Sequence, residues 1–79
     1  MVLVFNAEKL RNRRTELGLS INQTATRMPG PEAGSPTTVG MLEKGLRRPS
    51  ARMVAKLAYA LQCDITEFFD EVEAPDVVA

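Results

Sequence analysis

Apolar side chains recur at helical spacing in several separate stretches of the chain. The clearest stripe lies in residues 54–61, where Val54, Leu57, Ala58 and Leu61 occupy positions i, i+3, i+4 and i+7. This spacing places side chains on one face of an α-helix. Only Val2 to Phe5 resembles a strand, and four residues are too few to form one alone. The pattern therefore predicts an all-α domain.

Capping residues divide this domain into five predicted helices. A short polar side chain precedes each apolar stretch and can accept a hydrogen bond from the first free backbone N–H groups; these residues are Asn6, Ser20, Ser35, Ser50 and Asp64. Gly18 and Gly45 suit the left-handed position after a helix, and Pro29 ends the second helix. The first helix is predicted over about Ala7 to Leu17, and the second ends at about Met28. The fifth is short and carries Phe68 and Phe69.

The order of these elements indicates one domain with two flanking segments. Residues 1–5 are predicted to be an N-terminal arm, residues 6–71 the helical domain, and residues 72–79 an acidic, flexible tail. Between helices two and three, the Pro29–Gly34 loop carries two prolines and two glycines. This turn-rich loop is predicted to be a tolerated surface insertion, with an extra contact to a ligand as the alternative.

Composition narrows the possible chemistry. The chain has no histidine and a single cysteine, Cys63, so the usual general base and the usual zinc ligands are missing. No glycine-rich phosphate loop occurs. We therefore expect a protein that is not an enzyme and uses no cofactor or metal. No apolar run is long enough to span a membrane or to act as a signal peptide, which predicts a cytoplasmic location.

The net charge of zero conceals a separation of charge along the chain. All ten lysines and arginines lie between Lys9 and Lys56, whereas every charged residue after Lys56 is acidic. A basic body can face a polyanion, and an acidic end can remain solvated or meet another partner. Charge alone does not distinguish these roles from ordinary solvated surfaces.

Three segments in sequence order resemble the Xre-type, lambda-repressor-like helix-turn-helix family of transcriptional regulators. The first begins with "LRNRRTELGLS" and ends with "TATRM", the second is "SPTTVGMLEKGLRRPS", and the third is "VAKLAYALQCDITEFF". The resemblance extends from about Leu10 to Phe69. It implies a five-helix DNA-binding domain, here with a lengthened turn between helices two and three. It also implies double-stranded DNA as the partner, bound in the major groove and along the phosphate backbone.

The same resemblance implies a structural pair and a set of DNA contacts. A helix-one arginine and a helix-three glutamate pair in this family, and the matching positions are Arg14 and Glu43. The positions that match phosphate-anchoring residues are Asn22, Gln23, Lys44, Arg47 and Arg48. Many members carry glutamine where this chain has Ile21. Ile21 is therefore expected either in the core or against sugar and methyl groups of DNA.

The third helix is the candidate for entry into the major groove. If Val39 and Leu42 face inward, the opposite face carries Thr37, Met41 and Lys44, flanked by Thr38 and Gly40, and the helix N-terminus at Ser35 to Thr38 offers free N–H groups to phosphate. None of the residues from Ser35 to Met41 is an arginine, lysine, asparagine or glutamine, the residues that read bases in pairs of hydrogen bonds. The sequence therefore predicts that this helix reads DNA shape and thymine methyl groups, while Lys44 and the Arg47–Arg48 loop supply most of the affinity.

The predicted function is a DNA-binding regulator, a repressor that occupies its operator as a homodimer. The arm and the Phe68–Phe69 region with the tail are alternative dimer surfaces. One competing hypothesis is an antitoxin or anti-repressor whose acidic tail captures a protein partner. Another is an architectural or excision-type phage protein that binds several adjacent sites and bends DNA.

Overall fold

The computed structural model describes residues 2–30 and 35–73. In chain order the elements are strand β1 (Val2–Phe5), helices α1 (Ala7–Glu16), α2 (Ile21–Arg27), α3 (Pro36–Glu43) and α4 (Ala51–Ala60), a 3-10 helix (Ile65–Phe68) and strand β2 (Phe69–Val72). None of the helices in these residues is long and apolar enough to cross a membrane.

The predicted all-α class with five α-helices needs correction at both ends of the chain. The fifth helix is a single 3-10 turn, after which Phe69 adopts extended geometry (φ −123°, ψ 147°) and begins β2. Strand β1 pairs antiparallel with β2, Val2 opposite Val72 and Phe5 opposite Phe69. The described fold thus combines four α-helices with a two-stranded sheet. Four residues cannot form a strand alone, but β2 supplies the partner they need.

The sheet includes residues that the sequence assigned to the two flanking segments. Residues 2–5, predicted to be an arm, form β1, and Val72, predicted to begin the tail, ends β2. Residues 74–79 of the tail lie outside the described part. So do residues 31–34 of the Pro29–Gly34 loop, and the role of that loop stays a prediction.

Each helix begins at the residue that the capping pattern predicts. The Ser20 hydroxyl accepts from the Gln23 N–H at 3.0 Å, and the Gln23 side chain accepts from the Ser20 N–H at 2.8 Å. These reciprocal bonds satisfy two donors that the first helical turn leaves unpaired. Asn6, Ser35, Ser50 and Asp64 each cap a helix without this reciprocal bond, by accepting from backbone N–H groups of its first turn.

Three helices end in the same Schellman motif, in which two N–H groups beyond the helix bond to carbonyls of its last turn. The residue in the left-handed conformation is Gly18 after α1 and Gly45 after α3, but Gln62 after α4, with φ +53°. A side chain is strained in this conformation because its Cβ crowds the following carbonyl. A glycine in the sequence therefore marks the ends of α1 and α3, but no glycine marks the end of α4.

A single core joins all four α-helices to the 3-10 helix. Leu10, Val39, Leu42, Leu57, Leu61 and Phe68 are completely buried. Each comes from an apolar position of its predicted stripe, except that Phe68 reaches the core from the 3-10 turn. Among the described residues, Thr24 is the only polar residue that is buried over its whole surface, and its hydroxyl donates to the Ser20 carbonyl at 3.0 Å. This bond removes the cost of burying the hydroxyl.

Polar contacts anchor the sheet to the start of α1. The Lys9 ammonium lies 2.7 Å from the Asp70 carboxylate and also donates to the Phe69 carbonyl at 3.1 Å. The Asn6 side chain donates to Asp70 at 2.8 Å. Hydrogen bonds from Lys9 and Asn6 hold the pKa of the Asp70 carboxyl below its usual value. The ring of Phe5 packs edge-on against that of Phe69, with centroids 5.9 Å apart.

Candidate nucleic-acid interface

A bidentate ion pair sets the position of α3 relative to α1. Arg14 Nε donates to Glu43 Oε2 at 2.7 Å, and Arg14 Nη2 donates to Oε1 at 2.9 Å. The third guanidinium nitrogen, Nη1, donates to the Leu19 carbonyl at 2.8 Å. The side chains are 13% and 6% exposed, and the bonds to Glu43 raise the pKa of Arg14. One guanidinium thus links α1, the turn before α2 and the end of α3.

Helix α3 buries one side and exposes the other, as the apolar spacing predicts. Val39 and Leu42 are fully buried, whereas Thr37 and Met41 are exposed. Gly40 lies at the contact with α2, because a Cβ built on it would point to Ile21 Cδ1 at 4.0 Å. Ile21 is half-buried and packs against the core. This packing corresponds to the expected core position, and contact of the exposed part of Ile21 with DNA stays a prediction.

The hydroxyls at the start of α3 bond to each other. Ser35 caps the helix by accepting from the Thr38 N–H at 3.1 Å, and the two hydroxyl groups share a hydrogen bond at 3.0 Å. Thr38 is half-buried, whereas Ser35 and Thr37 are exposed. Thr37 therefore has the more accessible hydroxyl of the two threonines, and Thr38 stabilises the helix terminus.

The basic residues at and after the end of α3 project into solvent from a rigid turn. Lys44 is the C-cap of α3, and Gly45 follows with φ +72°. The Leu46 N–H donates to the Met41 carbonyl at 3.0 Å, which fixes the direction of the chain toward Arg47 and Arg48. Both arginines are exposed. A small cavity of about 70 Å³ is lined by Thr38, Leu42, Arg47, Arg48, Pro49, Ser50 and Met53, so the structure brings this loop against α3.

The first turn of α2 contributes two exposed amides, Asn22 and Gln23. The Oε1 atom of Gln23 is engaged by the Ser20 N–H in the capping box. The capping box does not use the Nε2 amide hydrogens, which can donate to an anion such as a phosphate. Capping and phosphate contact use different atoms of the same side chain, and the two roles are compatible.

The electrostatics of this surface favour an anion. Between Leu17 and Cys63, the described residues include one acidic side chain, Glu43, and the pair with Arg14 balances its charge. The exposed cations on the same stretch are Lys44, Arg47, Arg48 and Arg52, together with Arg27, which lines a separate depression beside Tyr59 and Gln62. Acidic side chains are concentrated instead on the 3-10 helix and β2. Lys9 on α1 pairs with one of these acidic residues, Asp70, so the charge separation along the sequence is kept only in part in space.

Two further residues border the interface, although the sequence pattern does not single them out. Arg11 on α1 lines a shallow depression together with Glu43, Lys44 and Gly45, so it adds a cation beside Lys44. Leu46, which is 69% exposed, lies between Lys44 and Arg47 in the loop. The sequence alone does not indicate that Arg11 belongs to the interface, because only the packing of α1 on α3 brings it close to Lys44.

The described part of the chain contains one free cysteine and no cluster of metal-binding side chains. Residues 2–30 and 35–73 hold no group of three or more histidine, cysteine or acidic side chains able to bind a metal ion. Burial raises the pKa of the Cys63 thiol, against a smaller opposing effect of Arg13. A raised pKa keeps the thiol protonated at neutral pH and lowers its reactivity.

Comparisons with known proteins identify the family of this chain. A family model described as helix-turn-helix matches residues 30–68. The chain is also similar to the crystal structure of the restriction-modification controller protein C.AhdI from Aeromonas hydrophila, with 33% sequence identity and a TM-score of 0.72 over 80% of this chain and 89% of that one. The comparison with curated proteins gives no match. Together with the basic surface around α3, these similarities show that the chain belongs to the Xre-type, lambda-repressor-like helix-turn-helix family of DNA-binding transcriptional regulators.

Proposed function

We propose that this regulator is a repressor that binds a two-fold symmetric operator as a homodimer. The observation that carries the proposal is the surface formed by the first turn of α2, the outer side of α3 and the Lys44–Arg48 loop. It is rich in exposed donors and has one acidic side chain, whose charge Arg14 balances. A domain of this size makes few base contacts, and two copies on a symmetric site double their number. The similarity to a controller protein supports a role in controlling transcription.

Affinity and sequence preference would come from different parts of this surface. Lys44, Arg47 and Arg48 are exposed cations at and after the end of α3, and each phosphate they neutralise releases counterions. Thr37 and Met41 face outward from α3 itself and lack charge. Thr37 suits a single hydrogen bond or contact with a thymine methyl group, whereas Met41 suits apolar contact only. Asn22 and Gln23 would anchor the phosphate backbone on the other side of the groove.

Binding to random-sequence duplex DNA at several salt concentrations tests the contribution of the loop. The double variant Arg47→Ala/Arg48→Ala should flatten the slope of log affinity against log salt by about one to two units. The matched control is Arg27→Ala, since Arg27 lines a separate depression with Tyr59, Gln62 and Asp64. An unchanged slope in the double variant, or an equal change in the control, would contradict the assignment.

The contribution of α3 is tested with the operator selected from a random pool. Thr37→Ala/Met41→Ala should reduce the preference for that operator over random DNA and leave the salt slope unchanged. Loss of both specific and nonspecific binding would contradict the division between α3 and the loop. Repression itself is tested by a reporter under the selected operator, since an activator would raise expression.

A further inference from the structure

The two outer edges of the small sheet differ in their ability to pair with another strand. Among the described residues, β1 and β2 pair only with each other. Strand β1 reads Val-Leu-Val-Phe and carries no charge, whereas β2 carries Asp70 and Glu71. Charged side chains on an edge strand oppose pairing with a second chain. Two copies of β2 side by side would bring four carboxylates together, but two copies of β1 would not.

The hydrogen-bond pattern shows which backbone groups of β1 face outward. The Asn6 N–H donates to the Phe68 carbonyl at 2.8 Å. In an antiparallel ladder, successive residues direct their N–H and C=O alternately toward and away from the partner strand. Val2 and Val4 therefore bond toward β2, and the backbone groups of Leu3 and Phe5 point to the outer edge.

The side chains beside this edge are apolar and accessible. Val2, Leu3 and Val4 are 42%, 51% and 48% exposed. A neighbouring groove of about 560 Å³ is lined by Leu3, Val4, Phe5, Arg48, Pro49, Ala51, Val54, Ile65, Thr66 and Phe69. Exposed apolar side chains next to unpaired backbone groups are features of an edge at which a further strand adds to a sheet.

We propose that β1 is the dimer contact, pairing antiparallel with β1 of a second copy to form a continuous four-stranded sheet. This inference rests on the homodimer proposed above and names the surface that forms it. A two-fold axis makes the edge complementary to itself, because each copy offers the same donors and acceptors in opposite direction.

The register between the two β1 strands follows from the backbone groups that point to the outer edge, those of Leu3 and Phe5. If Leu3 of each copy lies opposite Phe5 of the other, four hydrogen bonds form using residues of β1 alone. The two Val4 residues then face each other across the axis. A register with the two Phe5 residues opposite each other would require Ala7 to be extended, and Ala7 begins α1. The structure of β1 thus favours the register centred on Val4.

Proline substitutions at matched positions test which edge is used. Leu3→Pro removes an outward N–H of β1 that the intrachain ladder does not use, and Glu71→Pro does the same on the outer edge of β2, because Glu71 lies opposite Leu3. Proline is tolerated where the lost N–H faces away from the ladder. In sedimentation equilibrium, wild type and Glu71→Pro should be dimers, whereas Leu3→Pro should be a monomer with a far-UV circular dichroism spectrum like that of wild type.

Cysteine cross-linking tests the register without relying on loss of association. In a Cys63→Ala background, Val4→Cys should form a disulfide-linked dimer on mild oxidation, since facing residues of this type have Cα atoms about 4.5 Å apart. Val2→Cys should not, because its two copies would lie roughly 13 Å apart along the strands.

The outcomes separate this inference from the proposed function. A wild-type dimer that persists in Leu3→Pro and gives no Val4→Cys cross-link would overturn the β1 contact and leave the homodimer intact. A wild type that stays monomeric at all concentrations, also on the selected operator, would overturn both the homodimer and the β1 contact. DNA binding would still be measurable in that case through the salt slope of the loop.

Discussion

Removing one partner of the Arg14–Glu43 pair should strongly destabilise the fold. In Glu43→Ala, the Arg14 guanidinium would lose two of its three hydrogen bonds and keep only the one to the Leu19 carbonyl. With Arg14 only 13% exposed, water cannot fully replace them. Breaking such a pair costs about 3–5 kcal/mol, and the remaining access to water favours the lower end. At about 4–8 °C per kcal/mol for a domain of this size, we expect Tm to fall by at least about 12 °C.

A second ion pair of the same chain provides the matched control. Arg13 and Glu16 lie 3.6 Å apart, and their side chains are 28% and 67% exposed. Exposed pairs contribute little, because water and salt screen the charges. Glu16→Ala should therefore change the free energy of unfolding by less than about 1 kcal/mol. The two glutamates differ in burial and in hydrogen bonding, so the comparison shows what the loss of a buried, bidentate partner costs beyond the loss of an exposed one.

The measurement is thermal unfolding followed by circular dichroism for wild type, Glu43→Ala and Glu16→Ala. The double variant Arg14→Met/Glu43→Leu completes the test, because replacing both charges by apolar side chains leaves no unpaired guanidinium and should restore much of the lost stability. At temperatures where Glu43→Ala is folded, its salt slope for random DNA should match that of wild type. An unchanged Tm in Glu43→Ala would refute the reasoning.

Three further substitutions have expected effects on stability. Gly40→Ala should raise the free energy of unfolding by about 0.8–1 kcal/mol, measured by urea unfolding, because alanine favours the helix and its Cβ meets only Ile21; a loss of stability would contradict that packing. Gln62→Gly should raise it by about 0.5–1 kcal/mol by relieving left-handed strain, and a lower Tm would argue against the strain. Folding lowers the pKa of Asp70, so its carboxylate should stabilise the fold at pH values above its ordinary pKa of 3.8. This stabilisation should be lost as pH falls through the lower pKa that Asp70 has in the folded state. Asp70→Asn should flatten the fall of Tm in that range, and an unaltered profile would exclude the contact with Lys9.

The start of every helix was predictable because capping is a local interaction. A serine hydroxyl and an N–H three residues later are adjacent whatever the rest of the chain does. Ser20, Ser35 and Ser50 therefore begin their helices as predicted. The apolar stripe of residues 54–61 likewise indicates which side of α4 is buried. Periodicity and capping thus account for the four α-helices without tertiary information.

The position of the candidate interface was predictable only in part. The spacing of the buried residues in α3 predicts that Thr37 and Met41 are exposed. The position of the loop after α3 predicts the same for Lys44, Arg47 and Arg48. The engagement of Thr38 with Ser35 and the orientation of Gly40 toward Ile21 depend on side-chain packing between elements. Arg11 joins this surface because α1 packs against α3.

What the sequence alone determined is therefore the local part of the structure: where the α-helices begin, which of their sides are apolar, and how basic and acidic residues separate along the chain. The tertiary structure decided the rest. Pairing of Val2–Phe5 with Phe69–Val72 joins the two ends of the described chain, and no local pattern specifies a partner so distant in sequence. The left-handed Gln62 is held by a motif whose bonds outweigh its strain. Local propensity acts over a few residues, whereas strand pairing and strain are decided by the sum of contacts across the fold.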